Sequence, residues 1–483
     1  MRRPLTLRRP AIAAIAALLA GAGWGCAVGP DFQRPAPPAA DHFAPPRAAP
    51  TAPTPDAQTI VEGMDIPGQW WSVFHSPALD ALVKQAIANN PDIAAAQAAL
   101  RQSRELLYAQ RGAYLPTVAV GLQASRQRNS ATIAPPLADN ASIYSLFTPQ
   151  VTVSYAPDVF GGVRRQVEAA QAREDAQAFQ VQAAYLTVTS NVVQAALQES
   201  SLREQIAATR DIVAAETRLL DLMRRQHDAG QASGADVAAQ ETALAQAEQT
   251  LPGLEKQLAQ QRDLLSVLAG RLPAEGSGQG LELADLALPR EVPVGLPSSL
   301  VERRPDIRAA EANLHAASAA VGAAAAARLP NITLTADAGS AASTIAGLAS
   351  SPNLFWTLAA GVAQPVFDAG ALRHQQRAAE AAYDQARAQY HSTVLLAFQN
   401  VADALQGLQI DDEALGSARR AEAAATRSLG IAQKQVQFGE ASTISVLNAE
   451  QAFQQARISL IQARAGRYVD TVALFQALGA GQW

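Results

Sequence analysis

Residues equipped for covalent or metal chemistry are few in this 483-residue chain: one cysteine, Cys26, and six histidines, His42, His75, His227, His315, His374 and His391. The histidines show none of the close spacings that gather zinc ligands, and a lone thiol excludes an intramolecular disulfide. No glycine-rich phosphate loop follows a strand-like run. Charged residues make up 17 % of the chain, the net charge is −5, and no basic stripe is interleaved with aromatic residues. Nucleic acid is therefore not an expected partner. No metal site, bound cofactor or catalytic constellation is expected, and the chain does not read as an enzyme. What remains is the thiol, and its place in the sequence says what chemistry it serves.

Met1 to Arg9 carries four arginines and no acid, and Ala11 to Ala22 is an unbroken run of alanine, isoleucine, leucine and glycine. A basic segment followed by a short apolar one is a secretory signal, and the run is well short of the roughly 20 residues of a permanent spanning helix. A signal peptide over 1–25 is expected, and with it export. Cys26 at its end resembles a lipobox, in which the thiol receives a diacylglycerol and becomes the first residue of the mature chain. Gly25 fits that pattern, whereas Gly23 and Trp24 stand where leucine and a small residue are usual. The other reading is an ordinary cleavage site with a cysteine beside it. A covalent N-terminal lipid on Cys26 is the only attached group expected. Ala27, standing where an aspartate would signal inner-membrane retention, points to the outer membrane and its lipid.

Elements must then be found that such an anchor could hold. Residues 26–67 are rich in proline and alanine and read as an extended arm. Beyond them the chain repeats itself. The segment ending at Pro116 aligns without a gap on the one ending at Pro330, an offset of 214, and "AGQASGADVAAQETAL" from Ala229 matches "FGEASTISVLNAEQAF" from Phe438, an offset of 209. Two copies of one unit are expected, over 68–270 and 301–477, joined by a linker at 271–300 and followed by a tail at 478–483. Asn90-Pro91-Asp92 and Arg304-Pro305-Asp306 read as helix starts, with proline at the first helical position and an acid in the first turn.

Each copy has a helix, two strands, a very long helix and a shorter returning helix. In "TVAVGLQAS" Val118, Val120, Leu122 and Ala124 share one face and Thr117, Gln123 and Ser125 the other; Ile332, Leu334, Ala336 and Ala338 repeat the pattern. Strands are expected at about 117–156 and 331–365, long helices at about 165–228 and 370–438, and returning helices at about 235–270 and 443–477. A helix of about 64 residues spans roughly 95 Å, too long for an ordinary globular domain, so other helices must pack along it. Four strands with one apolar face have the length and alternation of outer-membrane barrel strands. Four cannot close a barrel, and an open edge cannot lie in lipid, so the chain must oligomerise; three copies give twelve strands. Soluble β-tips on a helical scaffold are the other reading.

Several motifs, in order, carry a resemblance that covers nearly the whole chain: "AVGPDFQRP" after the cysteine, "WWSVF" at Trp70, "VSYAPDVFGGVRR" from Val153, "LPSSLVERRPDIRAAE" from Leu296, "QPVFDAGALR" from Gln364 and the ending "VALFQALGAGQW". The chain resembles the outer-membrane lipoprotein channels of resistance-nodulation-division efflux systems, the TolC-like outer membrane factors of NodT type. The resemblance implies a mainly α fold with a transmembrane β portion, in which a homotrimer forms a long α-helical barrel of coiled-coil-like pairs and one shared 12-stranded β-barrel. It further implies a periplasmic adaptor (membrane fusion) protein and an inner-membrane resistance-nodulation-division pump as partners, passive conduction, and a gate at the periplasmic helix tips.

By the same resemblance the helix turns meet the adaptor: Gly230, Ala232 and Ser233 in one copy, and Gly439, Ala441, Ser442 and Thr443 in the other. Glycine just past a helix end is also an ordinary cap, and the two readings coexist. Nearby charges, Asp221, Arg224, Arg225, Asp236, Lys434, Glu440 and Glu450, are gate candidates through ion pairs between helices; a solvated helix face is the alternative for each. The family commonly carries an aspartate in the second tip, where this chain has "GEASTIS", which argues against an aspartate ring. Gly161, Gly162 and Gly370 read as permitting the bend from strand to helix. A channel for protein secretion and a non-conducting envelope scaffold are the alternative functions, and the sequence leaves the cargo open.

Overall fold

The computed structural model describes residues 27–36, 38, 42–43, 58–64, 66–128, 143–276, 280–294 and 297–481. The signal segment, Cys26 and the loop around Pro135 to Ser142 lie outside them. In chain order the elements are β1 (Thr59–Glu62), α1 (Pro77–Asn89), α2 (Pro91–Arg111), β2 (Thr117–Arg128), β3 (Ile143–Tyr155), α3 (Gly162–Asp228), α4 (Gly234–Leu268), β4 (Glu291–Val294), α5 (Pro297–Arg303), α6 (Pro305–Ala326), β5 (Asn331–Ser340), β6 (Leu354–Ala363), α7 (Ala371–Gln437) and α8 (Thr443–Ala477). Helices α3 and α7 have 67 residues each and α4 and α8 have 35 each. No helix among the described residues is long and apolar enough to cross a membrane.

The described parts of 1–34, 101–176 and 310–390 form one compact unit. Its centre is an antiparallel sheet in the order β2-β3-β5-β6, with the adjoining ends of α2, α3, α6 and α7. Capping sets where the long helices begin. Backbone N–H groups of Val163 and Arg164 donate to the Asp158 carboxylate at 2.9 and 2.8 Å, and those of Gly370 and Leu372 donate to Asp368 at 2.9 and 2.8 Å. A carboxylate there satisfies otherwise unpaired helix donors and complements the helix dipole. Of the glycines expected at these bends, Gly161 and Gly370 have positive φ and Gly162 does not; Gly162 already belongs to α3 and packs toward Ala326.

The same unit holds the start of the N-terminal arm. Val28 N donates to Phe160 O at 3.1 Å, and Ala27 lies against Gly161, where a side chain would collide with it. Phe32 stacks on His315 with ring centroids 4.4 Å apart, and Arg34 pairs with Glu311 at 2.9 Å.

Described parts of 35–100, 177–309 and 391–483 form the second unit. Its core gathers Trp70, Trp71, Phe74, Leu197, Tyr468 and Phe475. Trp70 stacks on Phe475 at 5.7 Å and meets Trp71 edge-on at 6.1 Å, the offset and T-shaped geometries that aromatic rings favour. Within the arm expected to be extended, Thr59–Glu62 forms β1, and within the expected linker Glu291–Val294 forms β4; the two pair in parallel. The helix expected to start at Asn90 does so at Pro91, directly after the separate α1. Asn90 closes α1 through its N–H to Ala86 O at 2.8 Å and opens α2 by accepting from Asp92 N at 2.8 Å.

Candidate functional site: an amphipathic sheet and two helical tips

Directly paired residues of a sheet share a face, so its two surfaces can be read across all four strands. One row runs Val120, Val151, Ala338, Trp356 and the next Val118, Val153, Ala336, Leu358. On the opposite face the rows run Thr117, Ser154, Thr335, Ala359 and Ala119, Thr152, Asp337, Thr357, with Thr152 Oγ1 donating to Asp337 Oδ1 at 2.6 Å. One face is thus continuously apolar and the other carries hydrogen-bonding groups. The apolar face is uncovered: Val120 is 83 % exposed and Trp356 79 %. A patch of this kind marks an interaction with lipid or another protein. Strands β2 and β6 each have one hydrogen-bonded neighbour among the described residues, leaving an open edge on either side.

Both helix tips are built alike. After α3, Gly230 takes φ +74°, its N–H donates to His227 O at 2.8 Å, and Gln231 N donates to Gln226 O at 2.7 Å. After α7, Gly439 takes φ +74°, its N–H donates to Val436 O at 3.1 Å, and Glu440 N donates to Gln435 O at 2.8 Å. This is a left-handed glycine cap with a six-to-one bond, repeated at an offset of 209. Ala232 and Ala441 follow, then Ser233 and Ser442 at the heads of α4 and α8, with Thr443 opening α8.

Side chains distinguish the two. Ser233 and Asp236 form a reciprocal capping box, Asp236 N donating to Ser233 Oγ at 3.2 Å and Ser233 N to Asp236 Oδ2 at 3.1 Å. Those hydrogen bonds hold the Asp236 carboxyl below its usual range. Ser445 stands at the corresponding position of the second tip, and the Ser442 side chain accepts no capping bond. His227 Nδ1 contacts Ala232 O at 2.9 Å. Exposed apolar residues flank the second tip, Phe438 above all, at 74 %.

The expected gate charges divide. Arg224 donates to Glu241 Oε1 at 2.7 Å, linking α3 to α4 at a half-exposed position. Asp236 is committed to its cap. Asp221, Arg225, Lys434 and Glu440 are exposed and form no ion pair among the described residues. Glu450 is buried, not exposed as an ion-pairing gate residue would be: burial, and next to it the charge of Glu216, push its carboxyl up.

Glu216 is a residue that tip proximity missed. Fully buried on α3, it accepts from Gln240 Nε2 of α4 and from Gln454 Nε2 of α8, the latter at 2.7 Å. One carboxylate of a long helix is therefore held by glutamines from both returning helices. Beside it a groove of about 570 Å³ is lined by further glutamines, among them Gln246, Gln257, Gln451 and Gln455. No group of three or more histidine, cysteine, aspartate or glutamate side chains among the described residues could hold a metal ion.

A family model for outer membrane efflux proteins matches residues 82–271 and 296–480. The chain is 34 % identical over 433 residues to the pyoverdine export outer membrane protein OpmQ of Pseudomonas putida, covering 88 % of this chain and 90 % of that one. It is 31 % identical over 467 residues to the probable efflux pump outer membrane protein TtgC of the same species, covering 95 % and 93 %. Among solved structures, the outer-membrane channel OprN matches with a TM-score of 0.85 at 26 % identity, over 94 % of this chain and 99 % of that one. An amphipathic sheet, two 67-residue helices and these likenesses lead to one conclusion: the chain belongs to the outer membrane efflux protein family, whose members are transport channels of the outer membrane reaching into the periplasm, not enzymes.

Proposed function

We propose that three copies of the chain close their sheets into one twelve-stranded barrel and serve as the exit duct of a tripartite efflux pump. The observation that carries this reading is the pair of apolar rows, Val120 to Trp356 and Val118 to Leu358, on a sheet with both edges open. Lipid suits the apolar face, but an unpaired edge does not belong in hydrocarbon, and closure with further copies removes it. Polar rows then line a water-filled lumen, through which solute passes passively while an inner-membrane pump supplies the energy. Cys26 carries the lipid anchor, next to the docked segment from Ala27. The tips at Gly230 to Ser233 and Gly439 to Thr443 meet a periplasmic adaptor, for which exposed Phe438 offers an apolar contact. Charges near the tips hold the periplasmic end shut. Relatives named for pyoverdine export and for efflux pumps favour a small molecule as cargo over a secreted protein.

The test is single-channel conductance of the purified mature protein in planar bilayers, with its mass measured beforehand in detergent. Discrete openings from a trimer are expected, larger when Lys434 and Glu440 are neutralised. A monomer that never conducts would reject the duct.

A further inference from the structure

Two aspartates far from the tips are set against each other where α7 meets α8. Asp411 lies one turn after Gly407 on α7, and Asp470 one turn after Gly466 on α8. The arrangement is reciprocal. A side chain on Gly407 would collide with Asp470 Oδ2, and one on Gly466 would come within 3.7 Å of Asp411 Oδ2. Gly407 makes room for the Asp470 carboxylate, and Gly466 stands within van der Waals reach of Asp411. Asp411 Oδ2 is shut off from solvent and has no hydrogen-bond donor. The charged groups around the pair are few. From α8, Arg467 is engaged by Asp412 at 3.1 Å and by Leu408 O at 3.1 Å; α7 itself contributes Asp412, and Asp403 beside Asp470. Arg304, lining the same cavity as Asp470, is bound by Asp306 and by Ala477 O. The charge of Arg467 reaches Asp411, but that guanidinium is shared with Asp412.

We propose that Asp411 and Asp470 share one proton and so form an acid-stabilised latch between α7 and α8. Two facing carboxylate oxygens repel unless one carries a hydrogen, and a protonated carboxyl donates to a carboxylate in a short, charge-assisted bond. Burial, followed by the charge and hydrogen bond of Asp470, pushes the Asp411 carboxyl up to about 6, with Arg467 opposing. The shared proton belongs to the pair as a unit. At the equivalent positions of the first copy, 209 residues earlier, stand Leu202 and Gln261, so the latch is a feature of the second copy alone. Asp411 precedes the end of α7 by 26 residues and Asp470 follows the start of α8 by 27, which puts the latch about 40 Å from the second tip along both helices. It resists sliding of α7 on α8 in mildly acid surroundings and yields as the proton leaves.

The sign follows from linkage. A carboxyl raised in the folded state contributes stability below its unfolded value, and that contribution is lost as pH rises through about 6. Asparagine at either position supplies a permanent donor to the remaining carboxylate. Thermal unfolding of the full-length protein in detergent, between about pH 4 and 8, is therefore compared for the parent, Asp411→Asn and Asp470→Asn. Each variant is expected to exceed the parent by about 2 °C or more above pH 7, with the excess shrinking as pH falls below 6 and vanishing only toward the unfolded value of about 4. Because the readout is stability, it stands apart from whether the protein conducts. A difference that does not change with pH, or failure of both variants to assemble, would overturn the latch. So would a parent that loses stability with EDTA and regains it with calcium at pH 7.5, since a cation would then occupy the gap.

Discussion

Arg165 Nη2 lies 2.6 Å from Asp31 Oδ1, and Nη1 of the same guanidinium lies 2.8 Å from Glu168. The arginine side chain is 5 % exposed, and it also reaches Val28 O and Gly29 O at 3.4 and 3.5 Å. One buried cation thus fastens the arm that follows Cys26. Arg165→Met keeps most of the apolar stem but leaves these acceptors without their donor. It is expected to lower stability by about 2 kcal/mol and to open the segment from Ala27 to Arg34 to proteolysis. Denaturant unfolding and limited digestion followed by N-terminal sequencing measure both; an unchanged cleavage pattern would contradict the role given to Arg165.

Glu216 is the joint between α3 and the two returning helices. Glu216→Ala leaves the fully buried Gln240 only the backbone carbonyl of residue 216 and deprives Gln454 of its acceptor, and is expected to destabilise by about 2–4 kcal/mol, read from the unfolding midpoint.

Glu450 predicts the opposite change. Its folded-state carboxyl is raised by burial and by Glu216, so its ionisation costs stability as pH rises through that raised value. Glu450→Gln is expected to be more stable than the parent at pH 7.5 and to lose that advantage as pH falls toward 4. A pH series of thermal melts checks the crossing.

The two tips separate by their caps. Ser233→Ala removes a capping box and is expected to cost about 1 kcal/mol. Ser442→Ala removes no capping bond from the side chain and is expected to stay within about 0.5 kcal/mol of the parent. Equal losses at both positions would show that the serines act through something other than helix capping.

On the sheet, Val120→Arg places a charge in the apolar row. If that row faces lipid, the cost is about 2–4 kcal/mol near the bilayer midplane, and less trimer is recovered from outer membranes. The neighbouring Ala119→Arg lies on the polar face and is expected to spare assembly while altering conductance.

The strands and helix ends were legible because local chemistry dictates them. Alternation at Val118, Val120 and Leu122 needs no knowledge of a partner, and neither does a glycine that must take φ +74° at Gly230 and Gly439. The β1–β4 pair was not legible: each strand has four residues, and Thr59 meets Glu291 across 232 positions, so no periodicity announces it. At the candidate site, charges near the tips could be listed from sequence, but their surroundings could not. Alanine-rich helices show little contrast between faces, so nothing local said that Glu216 and Glu450 would be buried while Lys434 and Glu440 would not. The pairing of Asp411 with Asp470 depends on the height at which two helices cross, and the glycines opposite them look, in one dimension, like unrelated small residues.

The repeated glycine cap has one more consequence. Because both tips present the same cap 209 residues apart, the ring of three chains proposed above would offer six tips with alike main chains. A partner that reads only main-chain shape would meet pseudo-sixfold symmetry. One that reads Asp236 against Ser445, or His227 against Val436, would find true threefold symmetry and a single correct angular setting.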